Sequence, residues 1–203
     1  MSRRLIILGA SGHGKVAADI ALRVGYEEIL FLDDNPEIKE CLGFPVVGHV
    51  SEASAFQGSF FVAIGNPTIR EAIQNSLEKM GKTVASLIHP AAILGKEVTI
   101  GRGTVLMAGA VVNPCARIGN GCILNTAASV DHDCRVGDYV HISVGAHIAG
   151  TVTIGARTWI GIGAAVINNV SIPPDCVIGA GATVVRSVTE TGTYVGTPAR
   201  KIK

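Results

Sequence analysis

Aliphatic residues recur at every sixth position of the C-terminal half of the chain, and a small or β-branched residue comes four positions after each of them. This fixed period is typical of a parallel β-helix, and it fits neither the helical period of about 3.6 residues nor the alternation of an amphipathic strand. Six residues make one side and three sides make a coil of eighteen, so we expect nearly six coils, with the first and fifth positions of each hexad facing inward. The seventeen aliphatic positions are Ile88, Leu94, Ile100, Leu106, Val112, Ile118, Leu124, Val130, Val136, Ile142, Ile148, Ile154, Ile160, Val166, Ile172, Ile178 and Val184.

The N-terminal part has a different pattern, in which short apolar runs alternate with helical periodicity. Leu5–Leu8 predicts a buried strand, Val16–Val24 a helix and Ile29–Leu32 a second strand. This alternation predicts a small parallel sheet covered by helices, that is, an α/β Rossmann-like domain. We expect this domain to span residues 1–88, and the β-helix with a C-terminal capping tail to span residues 89–203.

A glycine-rich turn follows the first strand, and two acids end the second. Such a turn brings backbone N–H groups at a helix N-terminus close to a phosphate. An acid at the end of the second strand commonly accepts a hydrogen bond from a ribose hydroxyl. The glycine order is G-x-x-G-x-G, which departs from the dinucleotide fingerprint, so an NAD-dependent oxidoreductase and a purely structural turn remain alternatives. The candidate nucleotide-binding residues are Ser11, Gly12, His13, Asp33, Asp34 and Gly65.

Composition narrows the possible functions. The formal net charge is +1 and charged residues make up 16% of the 203, which gives no electrostatic case for binding nucleic acid or an anionic membrane. No apolar run is long enough for a transmembrane helix, and the segment Met1–Gly9 lacks a signal-peptide pattern, so we expect a cytoplasmic protein. The five cysteines show no C-x-x-C spacing, which argues against a zinc site or a disulfide framework.

Three histidines of the repeat occupy positions that should face outward, and each has a plain surface role as its alternative. His132 lies between two carboxylates, which makes it a candidate general base, because its ordinary pKa is near neutrality and an acid can orient the ring. His132 and His141 are nine residues apart, or one and a half sides of the triangle. They should therefore face different directions on one rod and meet only when rods pack side by side.

These motifs together resemble a known family. The hexapeptide rod with a Gly-x-Pro-Ala-Arg end is similar to the left-handed β-helix acyltransferases. With Gly-Ala-Ser-Gly-His-Gly, Phe-Leu-Asp-Asp, Ala-Ile-Gly-Asn, His-Asp-Cys and His-x-Ser-Val-Gly-Ala added, the chain closely resembles the bacterial UDP-4-amino-sugar N-acetyltransferases of the bacillosamine pathway. Sialic acid O-acetyltransferases share the same two-domain plan. The resemblance covers nearly the whole chain and implies a left-handed rod.

The resemblance also implies an activity and roles for individual residues. Acetyl would pass from acetyl-CoA to the 4-amino group of a UDP-linked amino-deoxysugar, without a metal, in a homotrimer with interfacial sites. His132 would be the base, with Asp133 supporting it and Asn125 positioning the substrate or the ring. The acetyl-CoA site would be lined by His141, Gly150, Ile162 and Ala180. The nucleotide sugar would be bound by Ser11, Gly12, His13, Asp33, Asp34 and Gly65.

Two positions depart from the family pattern and leave the exact sugar open. Asp133 stands where the bacillosamine member has a glutamate, and Thr68 stands where a glutamate contacts the substrate. The alternative functions are O-acetylation of sialic acid or another sugar, a zinc enzyme of the γ-carbonic anhydrase kind, and a nucleotide-binding sensor whose rod only builds an oligomer. The zinc enzyme would need three converging histidines, and the spacing of His132, His141 and His147 is unlike that family's.

Overall fold

The computed structural model describes residues 3–203 and divides into two compact units, Met1–Pro90 and Ala91–Lys203. Met1 and Ser2, which belong to the segment without a signal-peptide pattern, lie outside the described residues. None of the helices in residues 3–203 has the length and apolar character that a membrane span requires.

The first unit is built on a parallel four-stranded sheet with the strand order β2-β1-β5-β6, which confirms the predicted α/β fold. Its buried core includes Ile6, Leu8, Phe60 and Leu77. The elements are β1 (Arg4–Leu8), α1 (Gly12–Arg23), β2 (Glu28–Leu32), β3 (Glu40–Cys41), β4 (Phe44–Pro45), a 3₁₀ helix (Val50–Ala55), β5 (Ser59–Val62), α2 (Pro67–Lys79), β6 (Thr83–Val84) and β7 (Leu87–Ile88).

Helix α1 begins at Gly12, four residues before the predicted start at Val16. The sequence pattern missed this first turn because two of its residues are glycines, which have low helix propensity. The close approach of helix to turn accounts for Gly14, since a Cβ there would overlap the Gly9 carbonyl oxygen. Gly9 itself has φ of +107°, a conformation that favours glycine.

The second unit is a three-sided parallel β-helix, as the six-residue period predicts. Strands in successive coils pair at a spacing of eighteen residues, for example Ser129 with His147 and Arg117 with Arg135. The strands are β8 (Ile93–Leu94), β9 (Thr99–Ile100), β10 (Val105–Leu106), β11 (Val111–Val112), β12 (Arg117–Ile118), β13 (Ile123–Leu124), β14 (Ser129–Val130), β15 (Arg135–Val136), β16 (His141–Ile142), β17 (His147–Ile148), β18 (Thr153–Ile154), β19 (Trp159–Ile160), β20 (Ala165–Val166), β21 (Ser171–Ile172), β22 (Val177–Ile178), β23 (Thr183–Val184), β24 (Thr193–Val195) and β25 (Arg200–Lys201).

The rod has three sides, each formed by strands of successive coils. Face 1 carries β10, β13, β16, β19 and β22, face 2 carries β8, β11, β14, β17, β20 and β23, and face 3 carries β9, β12, β15, β18 and β21. The chain passes from face 1 to face 2 to face 3, so the corners are the 1/2 corner, the 2/3 corner and the 3/1 corner. Beyond the last coil, β24 pairs with β22 and β25 pairs antiparallel with β24.

The first and fifth hexad positions fill the interior, as predicted. Leu124, Ala128, Cys134 and Ile142 are fully buried. The fourth position turns the corner with a positive φ in every hexad from Glu97 to Gly181. At the 2/3 corner this residue is Asp133, with φ of +59°, and its N–H donates to the Pro114 carbonyl of the preceding coil at 3.2 Å. Hydrogen bonds between coils thus hold a backbone conformation that non-glycine residues seldom adopt.

Candidate functional site

His132 lies at the 2/3 corner with its imidazole beside the carboxylate of the next residue. Its Nδ1 lies 2.8 Å from Asp133 Oδ2, and 56% of the His132 side chain is exposed. An ionised carboxylate only accepts hydrogen bonds, so Nδ1 carries the proton and Nε2 keeps a lone pair. The hydrogen bond to Asp133 raises the pKa of His132, and the nearby charges of Asp131 and Asp133 raise it further. The predicted pairing of His132 with Asp133 is therefore present in the structure.

The next coil places Gly150 directly against this ring. A Cβ built on Gly150 would lie 2.5 Å from His132 Nε2 and 2.7 Å from Cε1. The imidazole can occupy its position only because residue 150 has no side chain. Gly150 was predicted to line the acetyl-CoA site, and its contact with His132 was not predicted, although the two residues are eighteen positions, or one coil, apart.

Asp131 and Asn113 support the same corner and were also missed as a pair. Asp131 Oδ1 accepts a hydrogen bond from the His132 backbone N–H and another from Asn113 Nδ2, both at 2.8 Å. These two hydrogen bonds lower the pKa of Asp131, so the group is a carboxylate near neutral pH. Asn113 and Asp131 are again one coil apart.

His141 lies on face 1, away from the 2/3 corner, as its spacing from His132 predicts. Its ring stacks on Trp159 with centroids 5.7 Å apart and an interplanar angle of 4°. Asn125 Nδ2 lies 3.3 Å from His141 Nε2, and Asn125 Oδ1 accepts from the Thr126 N–H. Asn125 was expected to help position the substrate or the His132 ring. In the structure it lies beside His141 instead, one side of the triangle before His132.

The residues expected to line acetyl-CoA fall into two groups on a single rod. His141 is on face 1, and Ile162 and Ala180 occupy the 1/2 corner in consecutive coils, where Ile162 is 61% exposed. Gly150 lies at the 2/3 corner beside His132. One chain therefore presents the base and most of the expected acetyl-CoA residues on different surfaces.

Cys134 follows the histidine and acid in sequence, yet it points into the rod. It is fully buried, and its Sγ lies 3.1 Å from the Ala149 carbonyl oxygen. Burial raises the pKa of the Cys134 thiol. A protonated interior thiol is a poor nucleophile, so this cysteine contributes to the core rather than to chemistry.

In the first unit, the two acids after β2 have different surroundings. Asp33 Oδ2 accepts from the Ala10 N–H at 2.6 Å and Oδ1 accepts from the Asn35 N–H at 2.9 Å, so both carboxylate oxygens bind the backbone. Asp34 Oδ1 accepts from the Val50 N–H at 2.9 Å, and its side chain is largely exposed. Asp33 therefore joins the end of β2 to the glycine-rich turn, whereas Asp34 is the acid available to a ligand.

Two of the candidate glycines, one in the glycine-rich turn and one after β5, face open space. A Cβ on Gly12 or Gly65 would meet no atom within 4 Å, in contrast to Gly9 and Gly14. Ser11 is the N-cap of α1, but its side chain makes no capping hydrogen bond. The packing of the chain therefore does not account for glycine at positions 12 and 65.

His13 and Arg70 interact electrostatically, and only His13 was predicted as a site residue. Burial, together with the positive charge of Arg70, lowers the pKa of His13 to about 4. His13 Nε2 is buried and has no hydrogen-bond partner among residues 3–203. Arg70 is 1% exposed, and its Nη1 donates to the Ile64 and Gly65 carbonyls at 2.8 Å each. An arginine on a helix is usually exposed to solvent, so nothing in the sequence indicated that Arg70 is buried.

A metal-binding arrangement of the carbonic anhydrase kind would need His132, His141 and His147 to converge. Within residues 3–203, no group of three His, Cys, Asp or Glu side chains is arranged to hold a metal ion. His147 instead lies on face 2, with its Nδ1 2.8 Å from Ser129 Oγ.

Comparison with known proteins finds relatives that match nearly the whole chain. Residues 4–77 match the PglD N-terminal domain family. The chain is similar to the solved acetyltransferase domain of PglB from Neisseria gonorrhoeae, at 38% identity over 99% of this chain and 100% of that one, with a TM-score of 0.96. This chain belongs to the PglB/PglD-type family of sugar N-acetyltransferases.

Other structures of this family have been solved with ligands bound. The same gonococcal domain in complex with acetyl coenzyme A matches at 39% identity over 100% of both chains, with a TM-score of 0.96. PerB from Caulobacter crescentus, in complex with CoA and GDP-perosamine, matches at 34% identity over 98% of this chain and 97% of that one, with a TM-score of 0.92.

A curated sequence relative matches over a shorter stretch. UDP-N-acetylbacillosamine N-acetyltransferase of Bacillus subtilis is 36% identical over 112 residues, which is 52% of this chain and 52% of that protein. The chain therefore aligns with about half the length of this relative.

Proposed function

We propose that this sugar N-acetyltransferase moves acetyl from acetyl-CoA to the 4-amino group of a UDP-linked amino-deoxysugar. The observation that carries the proposal is the exposed His132 imidazole, hydrogen-bonded at 2.8 Å to Asp133 at the 2/3 corner. The bound molecules of the relatives support the substrate classes, because the PglB domain was solved with acetyl coenzyme A and PerB with CoA and GDP-perosamine. The UDP group is our choice from the motif resemblance and from the name of the Bacillus subtilis relative.

The proposed chemistry is direct attack of the amine on the thioester carbonyl. The amine loses one proton as the amide forms, and His132 Nε2 is the acceptor, since Nδ1 is held by Asp133. The thioester carbon–sulfur bond breaks, and the imidazolium returns the proton to the departing thiolate. A backbone N–H near Gly150 is our proposed donor to the developing oxyanion, because this residue lies against Nε2.

The proposed nucleotide site lies beyond the carboxyl ends of β1, β2 and β5. Backbone N–H groups of Ser11, Gly12 and His13 at the start of α1 would face phosphate, since a helix N-terminus favours anions. The open space at Gly12 and Gly65 supports a close approach of the ligand to the backbone. Asp34 is the acid that we place near the ribose or the uracil.

We further propose that the enzyme is a homotrimer with its acetyl-CoA sites between rods. The support is the separation of His132 and Gly150 at the 2/3 corner from His141, Ile162 and Ala180 on face 1 and the 1/2 corner. A closed symmetric assembly of three rods would bring these two surfaces together. Sedimentation velocity tests this directly, and a fully active monomer would contradict it.

The deciding experiment is a substrate screen with the purified protein. UDP- and GDP-linked 4-amino sugars are each incubated with acetyl-CoA, and the products are identified by mass spectrometry. We expect an N-acetylated UDP-sugar, stable to mild alkali, from the native protein and a greatly reduced amount from His132→Asn. An alkali-labile acetyl product would indicate the O-acetyltransferase alternative, and turnover of the GDP-sugars alone would overturn the UDP assignment.

A binding experiment separates the nucleotide site from its NAD-binding alternative. Calorimetry should show binding of UDP to the native protein and no comparable binding of NAD. The reverse result would mean that the glycine-rich turn serves a dinucleotide.

A further inference from the structure

The carboxylate of Asp131 touches the backbone of His132 and not its ring. Oδ1 of Asp131 accepts the His132 N–H at 2.8 Å, and the same oxygen accepts Asn113 Nδ2 at 2.8 Å. Both supporting side chains are half-buried, whereas the imidazole is exposed. The exposed imidazole is therefore attached, through its backbone, to a less exposed pair of side chains.

We propose that Asp131, held by Asn113, is a positioning residue for the His132 base, which it serves through the His132 backbone and through its negative charge. This inference rests on the proposed function and adds a second acid to the His132–Asp133 pair.

The backbone contact matters because the His132 ring itself is exposed and its Nδ1 has a single partner, Asp133. The next coil holds the carbonyl side of the residue, since the Thr151 N–H donates to the His132 carbonyl at 2.9 Å. The hydrogen bond from the His132 N–H limits the backbone torsions of the residue that carries the base. Asn113 in turn limits the rotamer of Asp131 from the preceding coil, so two successive coils hold the position of the ring.

The charge matters because Asp131 is an anion on the same turn as the imidazole. Its negative charge favours the protonated form of His132, as that of Asp133 does. The residues near this corner also include Gly150 and Thr151 in the next coil, Asn113 and Cys115 in the preceding coil, and His147 on face 2. The charged residues Glu97, Arg117 and Arg135 line the same cleft as Asp133. Removing the charge of Asp131 should therefore make His132 a weaker base.

Two substitutions separate the hydrogen bond from the charge. Asp131→Asn keeps an oxygen that can accept both hydrogen bonds and removes only the charge, whereas Asp131→Ala removes both. For Asp131→Asn we expect the acid limb of the kcat/KM pH profile to move to lower pH by about 0.2–0.7 of a pH unit, as for a partly exposed charge pair. For Asp131→Ala we expect the same shift and a further fall in kcat of about fivefold, with little change in the KM for acetyl-CoA.

The 3/1 corner offers a matched control. Asp138 Oδ1 accepts the Asn120 N–H at 2.7 Å and lies 3.3 Å from Asn120 Nδ2, a similar clamp that serves no histidine. Asp138→Asn should leave the pH profile unchanged, and Asn113→Ala should lower kcat in the same direction as Asp131→Ala.

The outcomes are distinguishable from a failure of the proposed function. If native protein acetylates the UDP-amino sugar, and folded Asp131→Ala has the native pH profile and kcat, Asp131 is not a positioning residue. A native pH profile in Asp131→Asn would overturn the part of the inference that concerns the charge. An equal shift in Asp138→Asn would also overturn the inference, because the effect would then be general. Loss of folding in Asp131→Ala, checked by circular dichroism, would leave the decision to the Asp131→Asn profile. If native protein acetylates no amino sugar, it is the proposed function that fails.

Discussion

His132 Nε2 and the Cα of Gly150 face each other across one coil of the β-helix, at a distance that excludes any side chain at position 150. The atom with the free lone pair is thus the one that lies next to the glycine. Gly150 determines where the base can sit, whatever else it contacts.

Replacing Gly150 with alanine should therefore displace the imidazole without unfolding the rod. The added Cβ would come within 2.5 Å of Nε2, and the exposed ring is the part that can move. A mispositioned general base forfeits much of a contribution that is typically about 10²–10⁴-fold, so we expect kcat to fall by at least about tenfold. Steady-state kinetics measures the expected fall in kcat, and thermal unfolding checks that the rod remains folded.

Gly109→Ala is the control for this prediction. A Cβ on Gly109 would lie at an ordinary distance of 3.7 Å from Ala127 in the next coil. Gly109 has a positive φ of +71°, and Ala127 shows that an alanine adopts this conformation at the equivalent position, with φ of +56°. This variant should keep native kcat. Native turnover in Gly150→Ala would show that the ring position does not limit catalysis.

The pH dependence of the reaction should follow His132 and its acid. Asp133 raises the pKa of His132, so the ring is protonated, and inactive as a base, up to a higher pH than an isolated histidine. The value of kcat/KM should fall as the pH falls through this raised pKa. Asp133→Asn should move the limb to lower pH and lower the plateau, because a weaker and less oriented base remains. If the acid limb stays at the native pH in this variant, the limb does not report the protonation of His132.

The two acids after β2 should give different phenotypes. Asp33→Asn removes the charge from two hydrogen bonds to backbone N–H groups, and bonds of this kind contribute about 1.5–3 kcal/mol each, so we expect a clear loss of unfolding free energy. Asp34→Ala loses only one such hydrogen bond, from a side chain that is 71% exposed, so it should lose less unfolding free energy than Asp33→Asn and should bind UDP more weakly by calorimetry. Equal effects of both variants on stability and binding would remove the distinction.

His13 should remain neutral throughout the physiological range and make the fold sensitive to acid. Its pKa is about 4 in the folded protein against 6.5 for the exposed side chain, so the unfolded state gains a proton first as the pH falls. The stability cost begins near pH 6.5 and is complete below about pH 4, reaching on the order of 2–3 kcal/mol near pH 4.5. Relative to native protein, His13→Gln should lose less unfolding free energy between pH 7 and 4.5 in urea titrations. Parallel curves for the two proteins would contradict a buried neutral His13.

The rod was predictable because a strict period places one inward residue after another, and a one-residue slip would expose the whole set. The contact of His132 with Asp133 was predictable from adjacency in sequence. The contacts of Gly150 and Asn113 with this corner follow from the coil length of eighteen, once the side-chain directions are known. The pairing of Asn125 with His141 crosses coils at a spacing of sixteen residues, which depends on rotamers that no period specifies. The buried Arg70 escaped prediction because its partners are backbone carbonyls, which any sequence supplies.

The last prediction concerns whether two chains share one site. His132→Ala removes the base at the 2/3 corner, and a double variant, His141→Ala with Ile162→Glu, should block acetyl-CoA on face 1 and the 1/2 corner. Each protein alone should be nearly inactive. Mixed at equal amounts and reassembled, they should regain about one quarter of native activity, since a site between rods is intact only when each chain supplies its undamaged surface. Wild type diluted with the same inactive chains, and the two variants mixed without reassembly, serve as controls. If each site lay within one chain, every chain in the mixture would carry a defect, and no activity would return.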